Sequence, residues 1–148
     1  MELISLGQYA GLMRSVAHAI KDGDADACAF AAKYYAAALP ENAVVVPMPS
    51  HLGRATTMLT VAEYIRNERE DVTVCDCLEA DPHESSYWTK KEKRTPRPFR
   101  MTAMTTRPPA NRPVWVIDNC ACSLVTAAMA SVALPNAKVM VLAKSNWR

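Results

Sequence analysis

The sequence predicts an α/β fold in which an open, largely parallel sheet carries helices on both faces, with a helical segment at the N-terminus. Short apolar runs rich in β-branched residues alternate with segments of helical periodicity, an alternation that is typical of parallel sheets. The runs are apolar throughout, as expected for strands buried on both faces. With 148 residues, half of them hydrophobic, the chain is expected to form one domain, 1–148.

Residues 1–40 predict the N-terminal helices. Apolar side chains recur at intervals of three and four over Glu2–Ile20, and the polar stretch Lys21–Asp24 breaks the pattern. A second, alanine-rich helix is predicted over Ala25–Leu39, where a proline follows.

Residues 43–78 predict a first βαβ unit. Its first strand is the run Ala43–Pro49, which prolines close, and its second is Val72–Leu78. Between them, Ser50–Arg54 is predicted to form a loop and Thr56–Arg69 a helix with an apolar stripe.

Residues 113–143 predict a second βαβ unit. Pro113–Asp118 is expected to form a buried strand, Leu124–Leu134 a helix and Lys138–Ala143 the last strand. The right-handed crossover of both units gives an open sandwich of sheet and helices.

Ligands of open α/β sheets bind outside the carboxyl ends of the strands. Two loops are predicted to lie there, Met48–Arg54 and Asn119–Thr126. We therefore expect the functional site to be built from these two loops.

Residues 79–112 predict a long, basic, flexible insertion between the two units. Loops of this length without a helix are usually lids, binding elements or disordered. Between Thr89 and Arg112, eight basic residues accompany one acidic residue, Glu92, so this stretch carries a net charge of +7 in a chain whose total is +2. Such a segment near the ends of parallel strands suits a polyanionic small molecule such as a phosphate ester, although a hairpin whose charges only keep it solvated is the plainer alternative.

Two stretches resemble the type I phosphoribosyltransferases. The sequence Val114-Trp115-Val116-Ile117-Asp118-Asn119-Cys120-Ala121-Cys122-Ser123-Leu124-Val125-Thr126 resembles their phosphoribosyl-pyrophosphate (PRPP) motif, with four apolar residues, an acidic position, a hydroxyl-bearing loop and a helix. The upstream Val44-Val45-Val46-Pro47-Met48-Pro49-Ser50-His51, followed by Arg54, is similar to their pyrophosphate loop, most closely in the competence-associated ComF-like branch. The resemblance spans about 43–143 and includes the insertion, which in that family is the flexible catalytic loop.

The resemblance implies a transfer of a phosphoribosyl group with Mg²⁺ as cofactor, and it assigns roles to individual residues. Asp118 would bind the ribose hydroxyls, and the catalytic lysines of the insertion would be Lys90 and Lys91. The residues that face the pyrophosphate would be Ser50, His51 and Arg54. The ribose and the 5′-phosphate would be held by Asp118, Asn119, Cys120, Ala121, Cys122, Ser123 and Thr126.

The chain departs from the family pattern at three positions. Asn119 stands where a second acidic residue is usual, so this position brings no charge. Leu124 and Val125 stand where the family has glycine, and their side chains can block the close approach of backbone to phosphate. Two functions therefore stay open, a divergent phosphoribosyltransferase with an unknown acceptor and an inactive protein of this fold with a binding or regulatory role.

The cysteines raise an alternative of another class. Cys75-x-Cys77 and Cys120-x-Cys122 lie near the ends of predicted strands, where four thiolates could hold zinc or an iron–sulfur cluster. This spacing is also typical of small buried hydrophobic residues on one strand face. Redox sensing by Cys120 or Cys122 is a further alternative, because a helix N-terminus lowers the pKa of a thiol.

Partners and location follow from the same features. The aromatic residues Tyr87, Trp88 and Phe99 lie among the basic residues of the insertion, an arrangement that can contact nucleic acid. No apolar run approaches the roughly 20 residues of a membrane span, and a basic, apolar leader is lacking, so a cytoplasmic location with reduced thiols is expected. The family resemblance adds a possible homodimer.

Overall fold

The computed structural model describes residues 2–82, 100–104, 106–121 and 125–144. Within these ranges, five parallel strands form the central sheet. They are β1 (Leu3–Ser5), β2 (Val44–Pro47), β3 (Thr73–Val74), β6 (Val114–Ala121) and β7 (Lys138–Lys144), and they lie in the order β1-β7-β6-β2-β3. Two further strands, β4 (Leu78–Ala80) and β5 (Met101–Ala103), pair antiparallel as a separate ribbon.

Over the same described ranges, four helices accompany the strands: α1 (Gly11–Lys21), α2 (Ala25–Ala38), α3 (Thr57–Glu68) and α4 (Val125–Ala133). Asp24 caps the N-terminus of α2. Its carboxylate accepts a hydrogen bond from the backbone N–H of Ala27 at 2.9 Å and so satisfies a free donor of the first turn. Among the described residues, no helix has the length and apolar character that crossing a membrane requires.

The sheet separates two apolar clusters. On one face, α1, α2 and α3 pack against alternate strand residues such as Trp115 and Ile117. On the other face, α4 and the β4–β5 ribbon pack against Val116 and Val141. This arrangement confirms the predicted α/β class with a parallel sheet, because each βαβ crossover covers one face of buried strands.

The N-terminal segment differs from the prediction of an entirely helical start. Leu3–Ser5 forms a strand that pairs with Val139–Val141 of β7. The backbone N–H of Leu6 donates to the carbonyl of Val141 at 2.9 Å. The apolar spacing in this segment suits a helix, but the open edge of β7 supplies backbone partners that an isolated sequence pattern does not reveal.

The predicted strand Val72–Leu78 is also interrupted. Its first part is the short β3, and Leu78 starts the ribbon strand β4 instead. The break lies at Cys75–Cys77, where the N–H of Cys77 donates to the carbonyl of Cys75 at 3.1 Å and closes a three-residue turn. The chain thereby leaves the sheet edge and enters the insertion through a paired β stem.

Strand β6 is longer than predicted. The sequence places its end at Asp118, whereas the strand continues to Ala121 and pairs along β7 to Lys144. The neighbouring strand β7 explains this extension. It also extends beyond its predicted end, so the backbone hydrogen bonds between the two strands continue. The helix after it begins at Val125.

Tyr35 joins α2 to the end of β6. Its side chain is fully buried, and its hydroxyl donates to the backbone carbonyl of Asp118 at 2.5 Å. Burial raises the pKa of the Tyr35 phenol well above its usual range, so the group stays protonated and keeps donating. This bond fixes the strand end against the helical layer.

Tyr35→Phe is therefore expected to lower the free energy of unfolding by about 1 kcal/mol, because it removes a buried hydrogen bond without removing the ring. Urea denaturation would measure the change. Tyr34→Phe is the matched control, since Tyr34 is the neighbouring residue of the same helix and its side chain is exposed. Equal stabilities of the two variants would contradict the role given to the Tyr35 hydroxyl.

Candidate functional site

The sheet has a topological switch point between β2 and β6. From β2 the chain passes through α3 to β3 on one side, and from β6 it passes through α4 to β7 on the other side. The two strands are parallel neighbours with Pro47 opposite Ile117, and the N–H of Met48 donates to the carbonyl of Ile117 at 2.9 Å. In open sheets of this kind, the crevice where ligands bind lies between the loops that follow such a pair of strands.

The loop after β2 forms one wall of this crevice. The N–H of Ser50 donates to the carbonyl of Arg54, and the N–H of Gly53 donates to the carbonyl of Ser50, both at 3.0 Å. The Ser50 hydroxyl accepts from the N–H of Leu52 at 3.2 Å. The loop is thus a closed turn that leaves His51 exposed at its tip.

Gly53 connects this loop to the base of the insertion. Its φ of +119° lies in the left-handed region that favours glycine. Its carbonyl accepts from the N–H of Ala80 at 2.9 Å, and a Cβ at Gly53 would lie 3.0 Å from the Ala80 carbonyl oxygen. The loop and β4 therefore approach each other as closely as their backbones allow.

Arg54 is exposed, and its side chain contacts residues at the base of the insertion. Its guanidinium pairs with the carboxylate of Asp76 at 3.2 Å and also donates to the sulfur of Met104 at 3.3 Å. The second carboxylate oxygen of Asp76 is buried and has no hydrogen-bond partner. The sequence pattern does not single out Asp76, because its partner Arg54 lies 22 residues away along the chain.

Asp118 lies in β6, three residues before the strand ends at Ala121. Its carboxylate is partly buried and accepts a hydrogen bond from the N–H of Asn119 at 2.8 Å. Removal from water raises the pKa of Asp118 to about 6, although the Asn119 N–H and the charge of Lys21 act in the other direction. Lys21 is a second residue that sequence reasoning missed, since it was interpreted only as part of a helix break.

Asn119 lies on the other face of the strand. Its side chain is buried, and its Nδ2 donates to the carbonyl of Ala17 in α1 at 2.8 Å. Successive side chains of a strand point to opposite faces, so the structure does not bring the side chains of Asn119 and Asp118 together. The Asn119 Oδ1 atom has no hydrogen-bond partner.

The other predicted ligand-binding residues divide into two groups. Cys120 and Ala121 belong to β6, opposite Ala143 and Lys144, and Thr126 is partly buried in the first turn of α4. Several predictions lie outside the described residues: the phosphate-loop residues Cys122, Ser123 and Leu124, the lysines Lys90 and Lys91, and the aromatic residues Tyr87, Trp88 and Phe99.

The cysteine pairs belong to separate places in the sheet. Cys75 and Cys77 follow β3, whereas Cys120 lies on β6, with β2 between these strands. Two strand spacings amount to about 10 Å. Over the ranges that the structure covers, no group of three or more His, Cys, Asp or Glu side chains could hold a metal ion, and Cys122 lies beyond those ranges.

A cleft of about 830 Å³ opens at the opposite, amino end of the sheet. Lys138 in its wall pairs with Glu2 at 3.0 Å and lies over the ring of Trp115 at 5.5 Å. Arg112, also in the wall, donates to the carbonyl of Asn42 at 2.8 Å. We place the candidate site at the carboxyl end instead, because ligands of open α/β sheets bind outside the carboxyl ends of the strands.

Comparison of the chain with protein-family models gives no match, and comparison with curated protein sequences gives none either.

The raised pKa of Asp118 predicts a pH dependence of stability. Between about pH 4 and pH 6 the folded protein keeps the proton that the unfolded chain releases, so stability falls as the pH rises through this window and stays reduced above it. Asp118→Asn is expected to remove this fall and to raise the free energy of unfolding at pH 7 by at most about 3 kcal/mol. Urea denaturation at several pH values would measure both effects.

The control for this series is Asp22→Asn, which removes an exposed carboxylate close to the end of α1. This variant should keep the pH dependence of the unmodified protein. If Asp118→Asn kept it as well, Asp118 would not be the titrating group.

Gly53→Ala is expected to destabilise the protein more than Gly11→Ala does. Both glycines have positive φ, so both variants pay a backbone cost of about 1 kcal/mol. Only at Gly53 would the added methyl press on a carbonyl oxygen, because nothing lies within 4 Å of a Cβ at Gly11. Thermal unfolding of the two variants would compare them, and equal losses would show that the loop can move away from Ala80.

Proposed function

We propose that this protein is phosphoribosyltransferase-like and binds PRPP or another phosphorylated ribose compound in the crevice between β2 and β6. The observation that supports this most is the switch point, where β2 and β6, the strands that precede the two family-like loops, are parallel neighbours. The ligand class comes from the resemblance of these loops and from their charged side chains.

Asp118 would accept hydrogen bonds from the ribose hydroxyls. Its pKa of about 6 leaves the carboxylate ionised at neutral pH, and an ionised acceptor makes the stronger hydrogen bonds. The partial burial of the group reduces competition from water. The charge of Lys21, which already favours the ionised form, would help to neutralise a phosphate nearby.

Arg54 would bind the pyrophosphate, with Ser50 and His51 of the same loop beside it. Its guanidinium is exposed and holds Asp76 through one carboxylate oxygen, so a phosphate group could replace or share this partner. Lys90 and Lys91 are proposed to close over the pyrophosphate from the insertion, whose paired base β4–β5 lies next to Arg54 through Met104.

Magnesium fits this arrangement as an ion shared with the ligand. Mg²⁺ usually keeps several waters and binds through one or two carboxylates together with substrate phosphates. Among the described residues, Asp118 on β6 is the carboxylate that would meet this need. The ion would neutralise the charge of the leaving pyrophosphate, and the carboxylate of Asp118 would hold the ion.

The reaction supported by these groups is the transfer of a phosphoribosyl group to an acceptor. The protein would hold the ribose at Asp118 while the positive charge of Arg54 stabilises the pyrophosphate as it departs. The acceptor is proposed only as a base or amine that enters from the insertion side. We further propose that the protein acts in the cytoplasm, where thiols such as those of Cys28, Cys75 and Cys77 stay reduced, and that it forms a homodimer as the family resemblance implies.

A second candidate function is binding without turnover. It is favoured by Asn119, which faces α1 and leaves the crevice with Asp118 as its one acidic residue from this motif. A protein of this kind would bind the phosphorylated ribose as a regulatory signal, and its basic insertion could contact nucleic acid.

Calorimetric titration of PRPP with Mg²⁺ into the purified protein tests the proposal. Saturable binding is expected, and Asp118→Asn and Arg54→Gln should each weaken it about ten-fold or more, because each removes a charge-assisted contact. Affinity should also fall below about pH 6 as Asp118 takes up a proton.

Arg66→Gln is the matched control for the arginine, since Arg66 is exposed on α3 and pairs with Glu63 of the same helix. The affinity of this variant should equal that of the unmodified protein. Absence of binding by well-folded protein would refute the proposal. Binding together with pyrophosphate release on adding nucleobases or amines supports the enzyme, whereas binding without release supports the second candidate.

A further inference from the structure

Two thiols lie side by side where the chain leaves β3. The three-residue turn Cys75–Cys77 is closed by the 3.1 Å hydrogen bond between the Cys77 N–H and the Cys75 carbonyl. Such a turn keeps its first and third Cα atoms within the roughly 4–7 Å over which a disulfide can form. Both thiols also lie on one side of the turn, since both side chains belong to the same apolar cluster.

The backbone holds this turn on both sides. The N–H of Cys75 donates to the carbonyl of Val45 in β2 at 2.9 Å, and the carbonyl of Cys77 accepts from the N–H of Met104 at 2.7 Å. Both side chains pack in the apolar cluster on the α4 face of the sheet. The two cysteines are therefore held close together by the fold, with little freedom to separate.

The two thiols differ in access to solvent. Cys75 is partly exposed, whereas Cys77 is fully buried. Burial, and after it the proximity of Cys75, raises the pKa of the Cys77 thiol. The thiolate is the reactive form and must be accessible to the oxidant. Cys75 is therefore the thiol that reacts first, and the buried Cys77 is the thiol that reacts with it in the second step.

We propose that Cys75 and Cys77 form a reversible intramolecular disulfide when the protein meets a small hydroperoxide. The Cys75 thiolate attacks the O–O bond of the peroxide, which gives a sulfenic acid and releases an alcohol or water. The Cys77 sulfur then attacks the Cys75 sulfur, and the hydroxyl group leaves as water with the proton of the Cys77 thiol. Two thiols are oxidised by two electrons, and the peroxide bond is reduced.

The other described cysteines, Cys28 and Cys120, lie elsewhere in the fold. Cys28 is buried within α2, and burial raises the pKa of its thiol. Cys120 lies on β6, separated from the turn by β2. The proposed disulfide does not depend on the function proposed for the crevice, and its test involves no ribose ligand.

The test treats the reduced full-length protein with hydrogen peroxide, blocks the remaining thiols with an alkylating reagent and maps the tryptic peptides by mass spectrometry. Cleavage at basic residues yields the peptide Glu70–Lys90, whose cysteines are Cys75 and Cys77 alone. We expect this peptide to lose two hydrogens and to escape alkylation, and a dithiol reductant to restore both thiols.

Single variants test the order of the two steps. Cys77→Ser is expected to stop at the Cys75 sulfenic acid, which a 1,3-dicarbonyl reagent captures, whereas Cys75→Ser should leave Cys77 unoxidised. Cys28→Ser is the control and should form the disulfide like the unmodified protein. If a variant fails to fold, mapping of the unmodified protein decides alone. Alkylation of both thiols after peroxide treatment, or a disulfide from either to a third cysteine, would overturn the proposal.

Discussion

The parallel pairing of β2 with β6 is the constraint on which the rest of the structure depends. Val44 to Pro47 lie opposite Val114 to Ile117 at the centre of the sheet, and the two βαβ units wind away from this pair in opposite directions. The crevice exists only because of that reversal. A slip of one residue in β6 would exchange the faces of Asp118 and Asn119, so the register of this pair also decides which side chain the crevice receives.

The end of β6 combines a destabilising group with bonds that hold it in place. Asp118 is partly removed from water, and its raised pKa shows that the folded state disfavours its charge. Tyr35 and Asn119 anchor the same strand end to α2 and α1 through backbone carbonyls. A carboxylate held at a cost in stability, on a rigid strand end in a crevice, is the kind of group that functional sites keep.

The base of the insertion brings together contacts that the sequence separates widely. Gly53 and Arg54 of the β2 loop meet Ala80, Asp76 and Met104 there. Asp76 is the central residue of the dithiol turn, so the carboxylate that pairs with Arg54 and the two cysteines belong to one short segment. A ligand that draws Arg54 away from Asp76, and an oxidant that joins the thiols, would therefore both act on the connection between the sheet and the insertion.

Periodicity and β-branched runs alone determined the α/β class, the two βαβ units and the loop after β2, because burial on both faces imposes a local composition. The same patterns placed Asp118 in its strand, although they ended that strand at Asp118 rather than at Ala121. Tertiary structure decided three other features: the strand at Leu3–Ser5, the extension of β6 to Ala121 and the inward turn of Asn119. Each depends on a partner distant in sequence, namely the edge of β7 for the two strands and a carbonyl of α1 for the amide. Hydrogen bonding between such distant groups leaves no periodic signal in either segment.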